Sequence, residues 1–428
     1  MLTRRTPAPV AQPGPGVAQP GSDAAAKAAP AASARARSDQ PAVAGLIALA
    51  TSASFIALRL WVAAGGNITE FVRAAWPYSH RAHVPPGLFV FPTDGYDGQF
   101  YYRLALDPAD LRHTAFGITL DAPFRLLRIG YPALTWLVAL GHHSWVPVAL
   151  VVVNIAALTA VGVLGGMLAR ESGRHALWGL LLAGYFGFFS SLGCDLTEPV
   201  AAACLLGGVL AYRRGRPAAA GLLLAYGALT RETVLIVPLV LGVTRLAELI
   251  RRRGRPAAAD LAWLLPVVVS GAWQLVLRAA TGQVILLSGV GSNSGAGPPF
   301  GEFADAIRLN LGLLWPPTGA AYIWFGEVAT LAAFAGTALA NLRASTAPAY
   351  ERAAFVVFML GLGFLSADIW TGHADLRSID ECYLFAVLVL LGSSRRLAVL
   401  AAGAGLAGAI AAAHQKSLAR EWRRNGLP

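Results

Sequence analysis

Along this chain, apolar residues gather in runs of about 15 to 25, separated by short polar connections that often carry arginine. Runs of that length match helices crossing ~30 Å of hydrocarbon. They lack the ~10-residue alternating segments of an outer-membrane barrel. The pattern predicts spans near 43–63, 145–169, 176–192, 197–212, 217–230, 233–250, 260–278, 320–341, 352–370, 381–393 and 397–413. A shorter apolar stretch, 131–141, is expected to lie in the interface or dip back. The fold class that follows is all-α: a polytopic transmembrane helical bundle of about 10–12 spans, with a long first external loop (65–130) carrying juxtamembrane helices.

Three segments are expected. Residues 1–40, rich in Ala, Pro, Ser and Gly, read as a disordered cytoplasmic tail that cannot build a core. Residues 41–414 form the transmembrane domain, and 415–428 a basic C-terminal tail. Arginines fix the orientation. With the N-terminus cytoplasmic, the clusters Arg170/Arg174, Arg213/Arg214/Arg216, Arg251–Arg253/Arg255, Arg343/Arg352 and Arg395/Arg396 all fall inside, as the positive-inside rule asks. The tail (Lys416, Arg420, Arg423, Arg424) is discordant unless 397–413 stops short of crossing. Lysine occurs only at positions 27 and 416. We take that bias as genomic and expect a bacterial plasma (inner) membrane.

Composition sharpens this picture. The 428 residues are 56% hydrophobic and only 13% charged, against roughly 25% charged in soluble domains; the lipid bilayer must be the main solvent. The net charge of +11 sits in scattered topology signals rather than along one face, which argues against nucleic acid as a partner. Cys194, Cys204 and Cys382 show no metal-type spacing, so no zinc site is implied. Cys194 and Cys382 both fall near outer span ends, where a disulfide or two independent thiols are open. The glycine-rich 289–299 segment follows no strand and carries no lysine, so a phosphate loop is excluded; the 279–318 stretch reads as a flexible external loop.

The same topology collects polar groups outside. They are Asp94, Asp97, Asp107 and Asp110; Asp195 and Glu198; Arg231 and Glu232; and His373, Asp375, Arg377, Asp380 and Glu381. These groups either wall a polar cleft or simply occupy helix ends, where charge costs least. The densest chemistry lies in Asp94-Gly-Tyr-Asp-Gly-Gln-Phe-Tyr-Tyr-Arg-Leu-Ala-Leu-Asp-Pro108. Asp97 is placed to cap a short helix from Gly98 to about Leu106, expected to show Phe100, Tyr101, Leu104 and Ala105 to the outer leaflet. A carboxylate there suits a general base taking the proton of an attacking hydroxyl; a capped turn or a calcium-type loop is the plain alternative.

The string Tyr96-Asp-Gly-Gln-Phe-Tyr-Tyr-Arg-Leu-Ala105 resembles the Trp-Asp-small-x-Trp-Tyr-x-x-Ile-Ala motif of GPI mannosyltransferases, members of the GT-C superfamily of polytopic glycosyltransferases. Tyr96 and Phe100 stand where that family typically has tryptophans. Arg128-Ile-Gly-Tyr-Pro132 and Ala228-Leu-Thr-Arg-Glu-Thr233 are weaker echoes. The resemblance implies an inverting transferase with a polyprenyl-phosphate sugar donor and a glycan or lipid acceptor, with Asp97 as base. Asp94 would assist, by geometry or with a divalent cation (Mg or Mn). Candidate substrate contacts are Gln99, Tyr101, Arg103, Arg231, Glu232, Arg377, Asp195, Glu198 and His373. Arg231 and Arg377 would hold phosphate through the planar guanidinium fork; pairing of each with its neighbour, Glu232 or Asp375, is the alternative. A transporter or flippase of lipid-linked saccharides and a non-catalytic envelope scaffold are the competing functions.

Overall fold

The computed structural model describes residues 38–93, 95–252, 257–288, 299–314, 319–371, 375–393, 397–406 and 409. The fold is an all-α polytopic bundle. Its helices are α1 (Pro41–Val62), α2 (Gly98–Leu106), α3 (Gly130–Val138), α4 (Val146–Glu171), α5 (Leu180–Ala183), α6 (Gly187–Gly193), α7 (Glu198–Arg213), α8 (Pro217–Thr230), α9 (Ile236–Arg252), α10 (Leu261–Thr281), α11 (Ile285–Ser288), α12 (Gly301–Gly312), α13 (Gly319–Ala340), α14 (Ala349–Leu362), α15 (Ala367–Thr371) and α16 (Asp380–Leu391). Among the described residues, five helices are long and apolar enough to cross a membrane, or six if the bent pair α5–α6 is one span. The chain is a multi-pass membrane protein. Exposed Leu46, Trp61, Val148, Val243, Val268 and Leu275 on these helices give them the apolar outer face that hydrocarbon requires.

Two physical features set the bundle's interior. Small residues let α1 and α4 cross with touching backbones: a Cβ on Gly162 would lie 2.9 Å from the Ala44 carbonyl and 3.1 Å from Gly45 Cα. Such close approach is how helices associate in lipid, where burial of apolar surface gives no net gain. The second is α16, apolar around its whole circumference and buried at every residue. A helix of that kind belongs at the centre of its domain. It carries Asp380 and Glu381 into the interior at its N-terminus.

The long loop 65–130 is folded, not extended. Two short ladders brace it: β1 (Ala74–Ala75) runs parallel to β2 (Val90–Phe91), and β3 (Thr114–Ala115) antiparallel to β4 (Ile118–Thr119). The helix α2 spans Gly98–Leu106, as its pattern predicted, but every one of its residues is buried. Phe100, Tyr101, Leu104 and Ala105 therefore do not face lipid. Phe100 packs edge-on to Tyr78 and Tyr101 to Tyr131, because the rest of the loop and α3 supply a protein surface where the sequence alone suggested a bilayer.

Other expectations shift similarly. The 176–192 span is broken, α5 and α6 meeting at 59°, and the 352–370 span ends at Leu362 before resuming as α15. The 279–318 stretch, expected as a loop, contains α11 and α12. In α12, Ala306 and Asn310 are buried one turn apart, so one face packs inward. Most of the expected tail 1–40, the basic tail 415–428 and positions 407, 408 and 410–413 of the 397–413 stretch lie outside the described residues. Asp39 is an exception, accepting a hydrogen bond from the Ala176 N–H at 2.7 Å. Cys194, Cys204 and Cys382 are free thiols, so the disulfide alternative falls away.

Candidate functional site

Asp97 ends up beside the turn between α6 and α7 because of a close backbone approach. A Cβ on Gly98 would lie 2.2 Å from the Cys194 carbonyl and 2.9 Å from that of Val72, so only glycine lets α2 start there. The Tyr96 N–H donates to the Arg73 carbonyl at 2.9 Å, fixing the chain just before Asp97. The expected side-chain cap is not made. The carboxylate turns instead to two cations: Arg125 donates to one oxygen at 2.7 Å and Arg377 to the other at 2.9 Å. A charge-assisted bond from each of two guanidiniums outweighs a single N-cap bond.

From Asp97 the charges alternate inward. Arg125 also grips Asp121 with its Nε and Nη2, at 2.9 and 2.7 Å, and stacks on Phe124 and Phe100. Arg377 lies over the Tyr96 ring and places its Nε 3.3 Å from Glu198. Glu198 accepts from Ser191 at 3.0 Å and faces Arg231 at 3.7 Å. Arg231 closes the chain on α16: it donates to Asp380 at 2.7 Å and to the Ser378 carbonyl at 3.0 Å, with Glu381 at 3.7 Å. Beside this line, Arg128 forks onto Glu232 at 2.6 and 2.9 Å and donates to the Tyr101 hydroxyl at 3.1 Å.

The network has a sealed floor and an accessible rim. Arg231, Glu198, Asp380 and Glu381 have side chains only 1–4% exposed, whereas Asp97 is 19%, Asp121 22% and Glu232 27% exposed. Burial by itself would raise the pKa of Asp97, but Arg125 and then Arg377 beside it hold the carboxyl below its ordinary value. It is a carboxylate at neutral pH, reachable from solvent and bonded to cations that a phosphate would compete for.

The predicted site residues divide accordingly. Asp97, Arg377, Glu198 and Arg231 are brought into one chain of ion pairs, with Glu232 and Tyr101 beside it through Arg128. Arg231 pairs with Asp380 rather than its neighbour Glu232, since the chain is extended at Arg231 (φ −155°, ψ 124°) and throws successive side chains apart. Gln99, Arg103 and Asp195 lie elsewhere. Gln99 is buried and accepts from the Ser79 hydroxyl at 2.8 Å and the Ala75 N–H at 3.2 Å. Arg103 is buried against Asp110 and donates to the Arg112 carbonyl, so both staple the loop. Asp195 is wholly buried with a left-handed backbone (φ 50°), and its oxygens find no hydrogen-bond donor among the described residues. Asp94 and His373 lie outside the described residues, as does the Asp375 side chain.

Sequence reasoning missed Arg125 and Asp121 and gave Arg128 no role. The available signal was Asp121-x-x-x-Arg125-x-x-Arg128, three charges at helical spacing in the last turn before α3. The segment is pinned to a span: Trp273 of α10 donates to the Leu126 carbonyl at 3.0 Å. Among the described residues no three His, Cys, Asp or Glu gather as a metal site, and both Asp97 oxygens face arginines. Compared with family models, with curated proteins and with solved structures, the chain matches none.

Proposed function

We propose that this protein is a membrane glycosyltransferase using a polyprenyl-phosphate-linked sugar donor and a glycan or lipid acceptor at the outer face of the plasma membrane, with its N-terminus cytoplasmic. The observation that carries this reading is a solvent-reachable carboxylate, Asp97, bonded by Arg125 and Arg377 at the edge of a multi-pass bundle. Base and phosphate-binding cations thereby stand within one hydrogen bond of each other. In the reaction an acceptor hydroxyl attacks the anomeric carbon from the face opposite the phosphate. The new C–O bond forms as the bond to the phosphate oxygen breaks, and the hydroxyl proton passes to Asp97. Polyprenyl phosphate leaves with the electron pair, its charge stabilised by the arginines. As the donor phosphate draws Arg125 and Arg377 toward itself, Asp97 loses their field and becomes a stronger base.

The test is Asp97→Asn beside wild type and a full deletion in the native host, at matched membrane levels, with envelope glycans and lipid-linked sugars profiled by mass spectrometry. The reading expects loss of a glycan with build-up of its polyprenyl-phosphate donor. A deletion phenotype that Asp97→Asn does not share refutes it.

One observation favours a different reading. Glu327, within α13, is buried with an oxygen that finds no hydrogen-bond donor among the described residues. Intramembrane carboxylates of that kind mark transport pathways. A transporter of lipid-linked saccharides predicts that Glu327→Gln, and not Asp97→Asn, reproduces the deletion phenotype.

A further inference from the structure

A second feature of the external loop has no part in the network. The Trp76 indole is 65% exposed, although Ala74 and Ala75 before it are fully buried and Ser79 after it almost so. It borders a cavity of about 330 Å³ lined by Trp76, Ser79, His80, Arg81, His83 and Phe91, among others. That volume falls at the lower end of the ~300–1,000 Å³ range for small-molecule sites. We propose that this cleft is a saccharide subsite, and that it receives the acceptor. The acceptor role rests on the transferase reading above; saccharide binding does not.

The chemistry is that of sugar recognition. A pyranose has one face of C–H groups and a rim of hydroxyls. The C–H face packs on the electron-rich face of an indole, while hydroxyls need donors and acceptors at the edge. His80 and His83, with ring centroids 6.2 Å apart, and Arg81 supply such groups. The Trp76 ring stands edge-to-face with His80 at 5.1 Å, which holds it in place before any ligand arrives. An exposed tryptophan on a membrane protein also suits the bilayer interface. Here it borders a concavity in which two imidazoles and a guanidinium stand beside the apolar side chains of Ala82, Val90, Phe91 and Pro92, a mixed lining that suits the apolar face and polar rim of a sugar ring.

The cleft is also built onto the helix of the proposed base. Its wall residue Ser79 donates to Gln99 of α2, two residues and about 3 Å of helical rise from Asp97. Its inner strand β2 pairs with β1, whose Ala75 N–H donates to the same Gln99 oxygen. A saccharide in the cleft is thereby registered against α2. The subsite would select acceptors by the sugar preceding the one that reacts.

The experiment uses the full-length protein in nanodiscs, with methyl glycosides of mannose, galactose and glucose as probes, read by saturation-transfer NMR. Wild type should bind at least one. Trp76→Ala should weaken that binding tenfold or more and Trp76→Phe much less, while Asp97→Asn leaves it within about twofold. In parallel, brominated lipids should quench wild type and Trp76→Phe equally. No glycoside bound, binding indifferent to Trp76→Ala, or fractional bromolipid quenching that falls with Trp76→Phe would each overturn the subsite. Trp76-dependent binding alongside unchanged envelope glycans in Asp97→Asn would instead keep the subsite and refute the transferase.

Discussion

Arg231 offers the sharpest test of the buried network, because it is the cation that ties α8 and the following turn to α16. Its guanidinium is 4% exposed and faces Asp380 at 2.7 Å, with Glu198 and Glu381 both at 3.7 Å. Arg231→Met keeps the length of the side chain and removes its charge, leaving three acids crowded in the interior. Breaking a buried pair from one side costs about 3–5 kcal/mol, since the remaining charge has no solvent. Unfolding entropy scales with chain length, so in a chain of this size each kcal/mol moves the melting temperature by about 1–2 °C. The expected fall is therefore about 3–10 °C. The assay is thermal unfolding followed by fluorescence-detected size exclusion in one detergent. Combining Arg231→Met with Asp380→Asn removes the main unpaired acid, and the double variant should recover about 0.5–3 kcal/mol relative to additivity. A single variant that melts within about 1 °C of wild type, or a strictly additive cycle, would refute the view that Arg231 neutralises these acids.

Three further outcomes follow from the same geometry. Gly98→Ala should lower stability by about 3 kcal/mol, the upper end for overpacking, because its Cβ meets two carbonyls, and on the proposed transferase reading should also abolish the glycan product; Gly271→Ala, with nothing within 4 Å, should be neutral, and equal thermal stability of the two would refute the close-approach argument. Because the folded state holds Asp97 below its ordinary value, its ion pairs contribute stability that is present above the unfolded value and lost as pH falls through the folded one. Melting temperature should thus drop below about pH 4, with a shallower drop in Asp97→Asn; identical slopes would show that Asp97 is not the group responsible. Finally, Glu351→Gln should cost about 3 kcal/mol, because Glu351 is fully buried and takes bonds of 2.6 and 2.5 Å from Arg213. That is the low end for a buried pair, since Arg213 retains Glu171 at 3.9 Å; a melting temperature equal to wild type would remove the pair from the stability account.

Hydropathy alone determined the membrane-embedded helical class and the approximate position of the five or six helices long and apolar enough to cross, among the described residues, because solvation by lipid acts on each run independently of its neighbours. Local signals placed α2 at Gly98–Leu106, of which the stop at Asp107-Pro108 holds and the Asp97 side-chain cap is not made. Tertiary structure decided everything that depends on a partner distant in sequence. Phe100 and Tyr101 look alike in sequence whether they face lipid or protein, and only the folded loop shows that they are buried. Arg377 lies 280 residues from Asp97, and no local pattern announces that bond. The same holds for Arg231, whose nearest acid in sequence is not its partner. The sequence specified which charges the chain carries; the packing of α2, α7 and α16 decided which of them are sealed as a floor and which one, Asp97, is left bonded to two arginines and partly exposed.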